Sequence, residues 1–249
     1  MEQYLCETPN MDFSNNEIQK LIDERGWKNL DEFHKIEAIY DFVKEEIKFG
    51  YNTGDNISAS TVLHDGIGQC NTKACLLMTL LRAVGIPSRI HAFCLNHEVQ
   101  KGVIPPSQYR FAPVEILHTW AEVLYQNHWI VLEGVILDED YIKGFIDRYC
   151  KINAIKQNEI QRLPYKYGFK GYGFGVDDLF ELKLRWTGEN TYVQSTGIIS
   201  DLGVFSSADE CFRKYEQKIG PIKKSIYTHI TRKIMNKRVE RLRHFSKSH

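Results

Sequence analysis

The sequence predicts an α+β fold, and three observations carry that expectation. The first 50 residues are patterned as helices. A strongly apolar stretch from Cys70 to about Val84 has the length and spacing of another helix. Residues 118–133 read as two strands joined by a tight turn.

Ser14-Asn15-Asn16-Glu17 is a capping-box pattern ahead of Ile18, Leu21 and Ile22, and Gly26 closes that helix. Asn29-Leu30-Asp31-Glu32 opens a second, with Phe33, Ile36, Ile39, Tyr40, Val43 and Ile47 at helical spacing. Tyr51–Asn56 is rich in turn residues, and Ser58–Leu63 reads as a short helical turn before the Gly66/Gly68 approach. From Cys70, the residues Ala74, Leu77, Met78, Leu81 and Val84 fall on one helix face. Gly85 suits the position after the helix end, and Pro87 forbids continuation. Ser88–Phe93 reads as a strand, followed by a loop marked by Gly102 and Pro105-Pro106.

His118–Tyr125 and His128–Glu133 are the hairpin strands, joined by Gln126-Asn127. A two-residue turn pairs Tyr125 with His128 and sets Glu133 opposite Trp120, which shares a sheet face with His118. Glu133 is then a diagonal neighbour of His118. Further on, 140–155 reads as a helix, 165–175 as an aromatic, glycine-rich loop, 181–186 as a strand and 207–219 as a helix. From Pro221 onward the tail holds nine Lys or Arg and one acid, Glu240. Ile226, Ile230, Ile234 and Val239 predict an amphipathic helix there that docks its isoleucines on the domain.

The chain has 249 residues, 43% hydrophobic and 26% charged, an ordinary globular composition. Basic and acidic residues both total 32, so no global charge argument favours nucleic acid or an anionic membrane. The N-terminus lacks the basic and apolar regions of a signal peptide, and no apolar run approaches the roughly 20 residues of a membrane helix. These features lead to the expectation of a cytoplasmic protein with no membrane partner. The six cysteines (Cys6, Cys70, Cys75, Cys94, Cys150, Cys211) show no framework spacing and are expected as free thiols. Cys94-Leu95-Asn96-His97 is half of a zinc spacing without its second pair, so no metal site is expected.

The chemistry concentrates in Asp65-Gly66-Ile67-Gly68-Gln69-Cys70-Asn71-Thr72, followed by His118-Thr119-Trp120 and by Trp129–Glu133. A thiol attacks amides and esters as thiolate, so it must ionise more readily than a free cysteine with its pKa of about 8.5. A helix start supplies partial positive charge and free N–H groups. An adjacent imidazolium supplies a full charge, and His118 is the candidate. Glu133 would fix the tautomer of His118. The Cys70 N–H and a side-chain donor, for which Gln69 is the candidate, would hold an oxyanion. Each residue also has a plainer reading: Cys70 as a small residue at a tight contact, His118 as a satisfied sheet histidine, Trp120 as core or cleft wall, Glu133 as a solvated strand end. It is the conjunction that points to a thiol acyl-transfer site. Cys75 lies about 140° around the helix from Cys70 and reads as packing.

Gly68-Gln69-Cys70, Ala74, Leu76-Leu77 and Leu80–Arg89 resemble the nucleophile helix of the transglutaminase-like superfamily. His118-Thr119-Trp120-Ala121-Glu122-Val123 resembles its histidine strand, and Trp129 with the carboxylate four residues later resembles its third motif. The resemblance spans roughly Ile36 to Asp140. It implies a papain-like core, with the cysteine helix packed on an antiparallel sheet that carries histidine and acid. It also implies Cys70 as nucleophile, His118 as general base and acid, Glu133 as orienting carboxylate, and no cofactor. The family usually has Asp where this chain has Glu133, one methylene longer; Asp138 is a second candidate.

The expected organisation is a catalytic core over 1–155 and a C-terminal extension over 156–249 packed on it and ending in the basic helix. The leading functional reading is hydrolysis of an amide bond in a peptide or peptide-like substrate through a thioester. Transamidation and a non-catalytic peptide- or partner-binding module are the alternatives. Nucleic acid is a weaker expectation for the tail, and the aromatic loop is a candidate lid or groove wall.

Overall fold

The computed structural model describes residues 1–110, 112–152, 169–177, 182–215 and 220–245. Helix α1 (Asn16–Arg25) begins where the Asn15 side chain accepts from the Glu17 N–H, and it stops at Gly26 in the left-handed region. Helix α2 (Glu32–Glu45) is opened by Asp31, which accepts from the His34 N–H, and it buries Ile36, Ile39, Tyr40 and Val43. A two-residue parallel pair, β1 (Lys48–Phe49) with β2 (Ile67–Gly68), flanks helix α3 (Ala59–Asp65), which Ser58 caps.

Helix α4 (Cys70–Ala83) is the centre of the molecule. Residues 71–82 are buried on every side, where the spacing predicts a single apolar face. The reason is layering: the main sheet covers one side of α4, and α2 and α3 cover the other. Leu76, Leu77, Met78, Leu80 and Leu81 are fully buried. Truncating one such leucine to alanine costs ~2–5 kcal/mol.

The main sheet is antiparallel. It contains β3 (Ser88–Asn96), β4 (Glu115–Tyr125) and β5 (His128–Val131). A short helix α5 (Pro106–Tyr109) lies in the β3–β4 connection. Tyr125 pairs with His128 across Gln126 and Asn127, both at positive φ (48° and 65°), so the two-residue turn forms as expected. The ladder ends at Glu122↔Val131, however, and Glu133 opens a 3₁₀ turn over Glu133–Val135 instead of facing Trp120 in a strand. Helix α6 (Glu139–Ile152) follows; residues 153–155 of the expected helix lie outside the described residues.

The described part of the aromatic loop is a hairpin, β6 (Phe169–Gly171) and β7 (Phe174–Val176). It is tied to the 97–102 turn and to α6: the Tyr172 and Gly173 N–H groups donate to Lys101 and Val99 carbonyls, and the Tyr141 hydroxyl donates to the Tyr172 carbonyl. These contacts do not carry the lid expectation; residues 165–168 lie outside the described residues. Residues 182–186 form an irregular loop where a strand was expected. There Leu184 and Lys183 carbonyls accept from the Tyr40 hydroxyl and the Tyr192 N–H.

A strand absent from the sequence reading, β8 (Ile198–Phe205), completes the sheet order β5-β4-β3-β8. Its pairing with β3 shifts register twice, and Gly203 lies at φ 92°, so no alternating pattern marks it. Helix α7 (Ala208–Tyr215) follows it, and 216–219 lie outside the described residues.

The tail is helical: α8 (Pro221–Ile226), a π turn (Tyr227–Thr231) and α9 (Arg232–Arg243). Its docking face is not the isoleucine face. Met235, Val239, Leu242 and Arg243 are buried, whereas Ile222, Ile226, Ile230 and Ile234 are 77%, 48%, 52% and 36% exposed. Polar pins fix this rotation. Arg243 makes a two-pronged bond to Asp138, and Asn236 bonds both the N–H and the carbonyl of Tyr51. The bare Cα of Gly144 lets the Leu242 carbonyl approach so closely that a Cβ there would lie 1.9 Å from it. Among the described residues no helix is long and apolar enough to cross a membrane.

Candidate active site

Cys70 is the first residue of α4 and is partly exposed. The approach depends on two glycines for different reasons. Gly66 ends α3 at φ 64°, and Gly68 lies so close to Lys73 that a Cβ would meet its Cγ at 2.7 Å. The helix start is locked by buried polar groups. The Gln69 N–H donates to Thr72 Oγ1 (3.0 Å), and the Thr72 hydroxyl donates to Asn52 Oδ1 (2.8 Å). Gln69 Oε1 accepts from the Asn52 N–H (2.8 Å), and its Nε2 donates to Asp55 (2.9 Å). The carboxamide of Gln69 thus anchors the 52–55 loop to the start of α4, with one N–H already engaged.

His118 lies on β4 and is buried. Its Nε2 meets Glu133 Oε1 at 2.6 Å, and Cys70 is near enough to the imidazole to interact with it electrostatically. With Nε2 occupied by the acid, Nδ1 is the ring nitrogen left for the thiol. Burial alone would depress the imidazolium. The charge of Cys70 and its hydrogen bond, with the bond and charge of Glu133, outweigh burial and raise His118 to about 10.

Glu133 is 1% exposed. Its second oxygen accepts from the Gln194 N–H, and the next residue's N–H donates to Thr191 Oγ1 (3.0 Å). Val131 pairs with the same segment through Asn190 Oδ1 and the Thr191 N–H. Residues 190–194 therefore run beside the end of β5 and hold the acid from behind. Gly134 is obligatory at this turn, because a Cβ would meet the Tyr40 hydroxyl at 2.6 Å. The turn supplies the His118–Glu133 contact that the strand register was expected to supply.

Trp120 stacks at 4.0 Å on Phe93, meets His118 edge-on at 6.1 Å and donates to Glu122 (3.3 Å). It is buried with Phe93, Leu95 and Val99 and forms a wall behind the imidazole. Asp138 lies elsewhere. It caps α6 through the Tyr141 N–H and pairs with Arg243, so it is no alternative partner for His118. Cys75 is fully buried, its thiol pushed up by burial.

Asn71 and Thr119, neighbours of Cys70 and His118 in sequence, went unremarked in the motif reading. The Asn71 Nδ2 donates to the Leu117 carbonyl (3.2 Å), and its Oδ1 accepts from the Thr119 hydroxyl (3.0 Å) and the Cys70 thiol (3.5 Å). Both residues are small, polar and buried beside a reactive neighbour, which was the available signal. Gln194 gave none, because its contribution is a backbone N–H. Among the described residues no cluster of His, Cys, Asp or Glu is arranged to hold a metal ion.

A family model described as the transglutaminase-like superfamily matches residues 21–134, a span that contains all three candidate residues. That segment is similar to this superfamily, and the α+β architecture, with its antiparallel sheet, is consistent with a papain-like, transglutaminase-like fold. This match supports cysteine-based acyl transfer as the general chemistry. No curated protein matches the chain. Among solved structures, a candidate cysteine protease from Cytophaga hutchinsonii is similar at 18% identity with a TM-score of 0.41. The match covers 53% of this chain and 42% of that one, so this chain spans less than half of its length.

Proposed function

We propose that the chain hydrolyses an amide bond in a peptide or peptide-like substrate, with Cys70 as nucleophile, His118 as acid and base, and Glu133 as the orienting carboxylate. The observation that carries this reading is the buried His118–Glu133 bond of 2.6 Å, on an imidazole whose proton Cys70 also helps to hold. The thiolate attacks the carbonyl carbon, and the C–S bond forms as the C=O electrons move to oxygen. The Cys70 N–H at the helix start, and the second N–H of the Gln69 amide, would hold that oxyanion. Collapse breaks the C–N bond, and the amine leaves with the proton of His118. The neutral imidazole then takes a proton from water as its oxygen attacks the thioester carbonyl; collapse breaks the C–S bond, the carboxylic acid leaves, and the thiolate–imidazolium pair is restored.

The test is iodoacetamide labelling of Cys70 against pH in wild type, His118→Ala and Glu133→Ala, followed by mass spectrometry of peptide products with and without a primary amine. Labelling that is already on its plateau near pH 6, and that both substitutions move upward, is the expected result. A profile like that of a free thiol, near about pH 8.5 and indifferent to both changes, sinks the catalytic reading and leaves a binding module. Incorporation of the amine in place of hydrolysis would assign transamidation.

A further inference from the structure

A cleft of about 330 Å³ lies between α6 and α9, away from the residues of the thiol site. Arg148 of α6 and Arg238 and Arg241 of α9 line it, with the rings of Tyr172 and Phe245. Among the described residues no carboxylate lines it. This sets the three arginines apart from Arg243, Arg89 and Arg82. Arg243 has Asp138, Arg89 has Glu122, and Arg82 is spent on the carbonyls of Cys6, Ser88 and Ser206.

We propose that this cleft binds a phosphate-bearing ligand. Three guanidiniums facing one space repel one another, and a multiply charged oxyanion relieves that repulsion. Arginine's planar fork matches phosphate oxygens two at a time. Two of the three are held in place without losing their donors. The Arg148 guanidinium carbon lies 5.0 Å from the centre of the Tyr172 ring, a cation–π contact that holds it over the cleft. Arg238 spends one N–H on the Gly102 carbonyl at 3.0 Å. Arg241 is exposed, and among the described residues no carboxylate pairs with it.

The platform beneath Arg148 is itself built with some strain. Tyr172 sits at φ 53°, which non-glycine residues rarely adopt. Its backbone is held there by the Lys101 carbonyl and the Tyr141 hydroxyl. Its ring lies against Gly102, where a Cβ would come within 2.3 Å of it. A pre-set platform lowers the ordering cost of binding. The volume, at the small end of ligand pockets, admits a phosphate with a modest attached group. The attached group can be a soluble metabolite or the body of a phospholipid.

The experiment is calorimetric titration of the full chain with inorganic pyrophosphate at constant ionic strength, beside co-sedimentation with phosphatidylglycerol/phosphatidylcholine vesicles. The proteins are wild type, Arg241→Gln, Arg148→Gln/Arg241→Gln, and Lys237→Gln as an exposed control on the same helix but outside the cleft. Saturable pyrophosphate binding, weakened at least tenfold in Arg241→Gln, absent in the double variant and unchanged in Lys237→Gln, establishes a soluble phosphate ligand. Vesicle binding with the same dependence, and no pyrophosphate binding, establishes a lipid headgroup. The proposal is overturned if neither probe binds, if the double variant binds like wild type, or if Lys237→Gln loses as much as Arg241→Gln. Unchanged circular dichroism of the variants separates these outcomes from misfolding.

Discussion

Asn71 and Thr119 share a hydrogen bond of 3.0 Å that joins the start of α4, beside Cys70, to β4, beside His118. Asn71 also reaches the carbonyl of Leu117, so α4 grips β4 on both sides of His118. The separation of Cys70 and His118 is thus set by the residue after each. Both side chains are buried, at 2% and 0% exposure, so neither bond is exchanged with water.

Asn71→Ala is expected to leave the Leu117 carbonyl and the Thr119 hydroxyl unpaired, at a cost of about 1–3 kcal/mol in unfolding free energy. Loss of the grip is expected to lower turnover by ~100-fold, the scale of a misplacement of about 1 Å. Asn71 is a positioning residue here, so the telling measurement is the pH profile of Cys70 alkylation. It should drift toward that of His118→Ala. A variant that is less stable but keeps the wild-type profile would show the bond to be structural only. Thr119→Val, which removes one bond of the two, should lie between.

His118 gives a pH signature in stability. Its folded-state value of about 10 exceeds the ordinary 6.5, so the folded protein holds this proton more tightly than the unfolded chain. The resulting stabilisation is complete below about pH 6.5 and is lost as pH rises through about 10. The stability difference between wild type and His118→Ala should therefore shrink over that window in urea titrations. Glu133→Gln keeps the length of the side chain and removes its charge, so the stabilisation should be smaller and its loss should be complete at a lower pH. Glu133→Asp shortens the side chain by one methylene. It cannot reach His118 and the Gln194 N–H together, and its alkylation profile should shift upward despite the retained charge.

Elements with local signals were legible in the sequence. Asn15, Asp31 and Ser58 cap helices, Gly26 and Gly66 end them, and Gln126-Asn127 turns the hairpin as its chemistry requires. Cys70, His118 and Glu133 were legible as a set because their residue types and order carry chemistry. What escaped depends on distant partners. Glu133 reaches His118 from a 3₁₀ turn whose shape is set by Gly134, Thr191 and Gln194, which local patterning could not foresee. The isoleucines of the tail form the more regular stripe. The buried face is chosen instead by Arg243 and Asn236, whose partners lie 105 and 185 residues away in sequence. β8 lacks alternation because it is an edge strand with irregular pairing.

The tail is expected to be an energetic part of the domain. Arg243 and Asp138 are buried, with side chains 6% and 0% exposed, and meet at 2.8 Å. Arg243→Met leaves a buried carboxylate without its ion-pair partner and should cost ~3–5 kcal/mol. Burial by itself pushes Asp138 up. The bond and charge of Arg243, with the Phe49 N–H and Lys73, hold it below the usual carboxylate range. Its stabilisation is present above the unfolded-state value of about 3.9 and is lost as pH falls through the lower folded value. Arg243→Met should therefore flatten the acid limb of the stability curve. Gly144→Ala should release the tail by steric means, because the clashing atom is the backbone carbonyl of Leu242. Hydrogen exchange across 232–243 reads both. Protection equal to wild type in both variants would contradict the docked arrangement.

Lys73 should give the opposite sign from His118. It is fully buried one turn after Cys70, and its ammonium donates to the carbonyls of Lys44 (3.2 Å) and Ile136 (3.0 Å). Burial pushes it down to about 7, against the attraction of Asp138. The folded chain thus holds this proton less tightly than the unfolded chain. The penalty is absent above about 10.5, grows as pH falls toward about 7 and is constant below that. Lys73→Met removes the penalty and also the two carbonyl bonds. Relative to wild type, the variant should be less stable at pH 10 and gain steadily as pH is lowered. The slope between the two should approach about 1.4 kcal/mol per pH unit. A difference that does not vary between pH 7 and 10 would mean that the ammonium stays charged throughout. The Lys44 and Ile136 carbonyls, with Asp138, would then solvate it as well as water does.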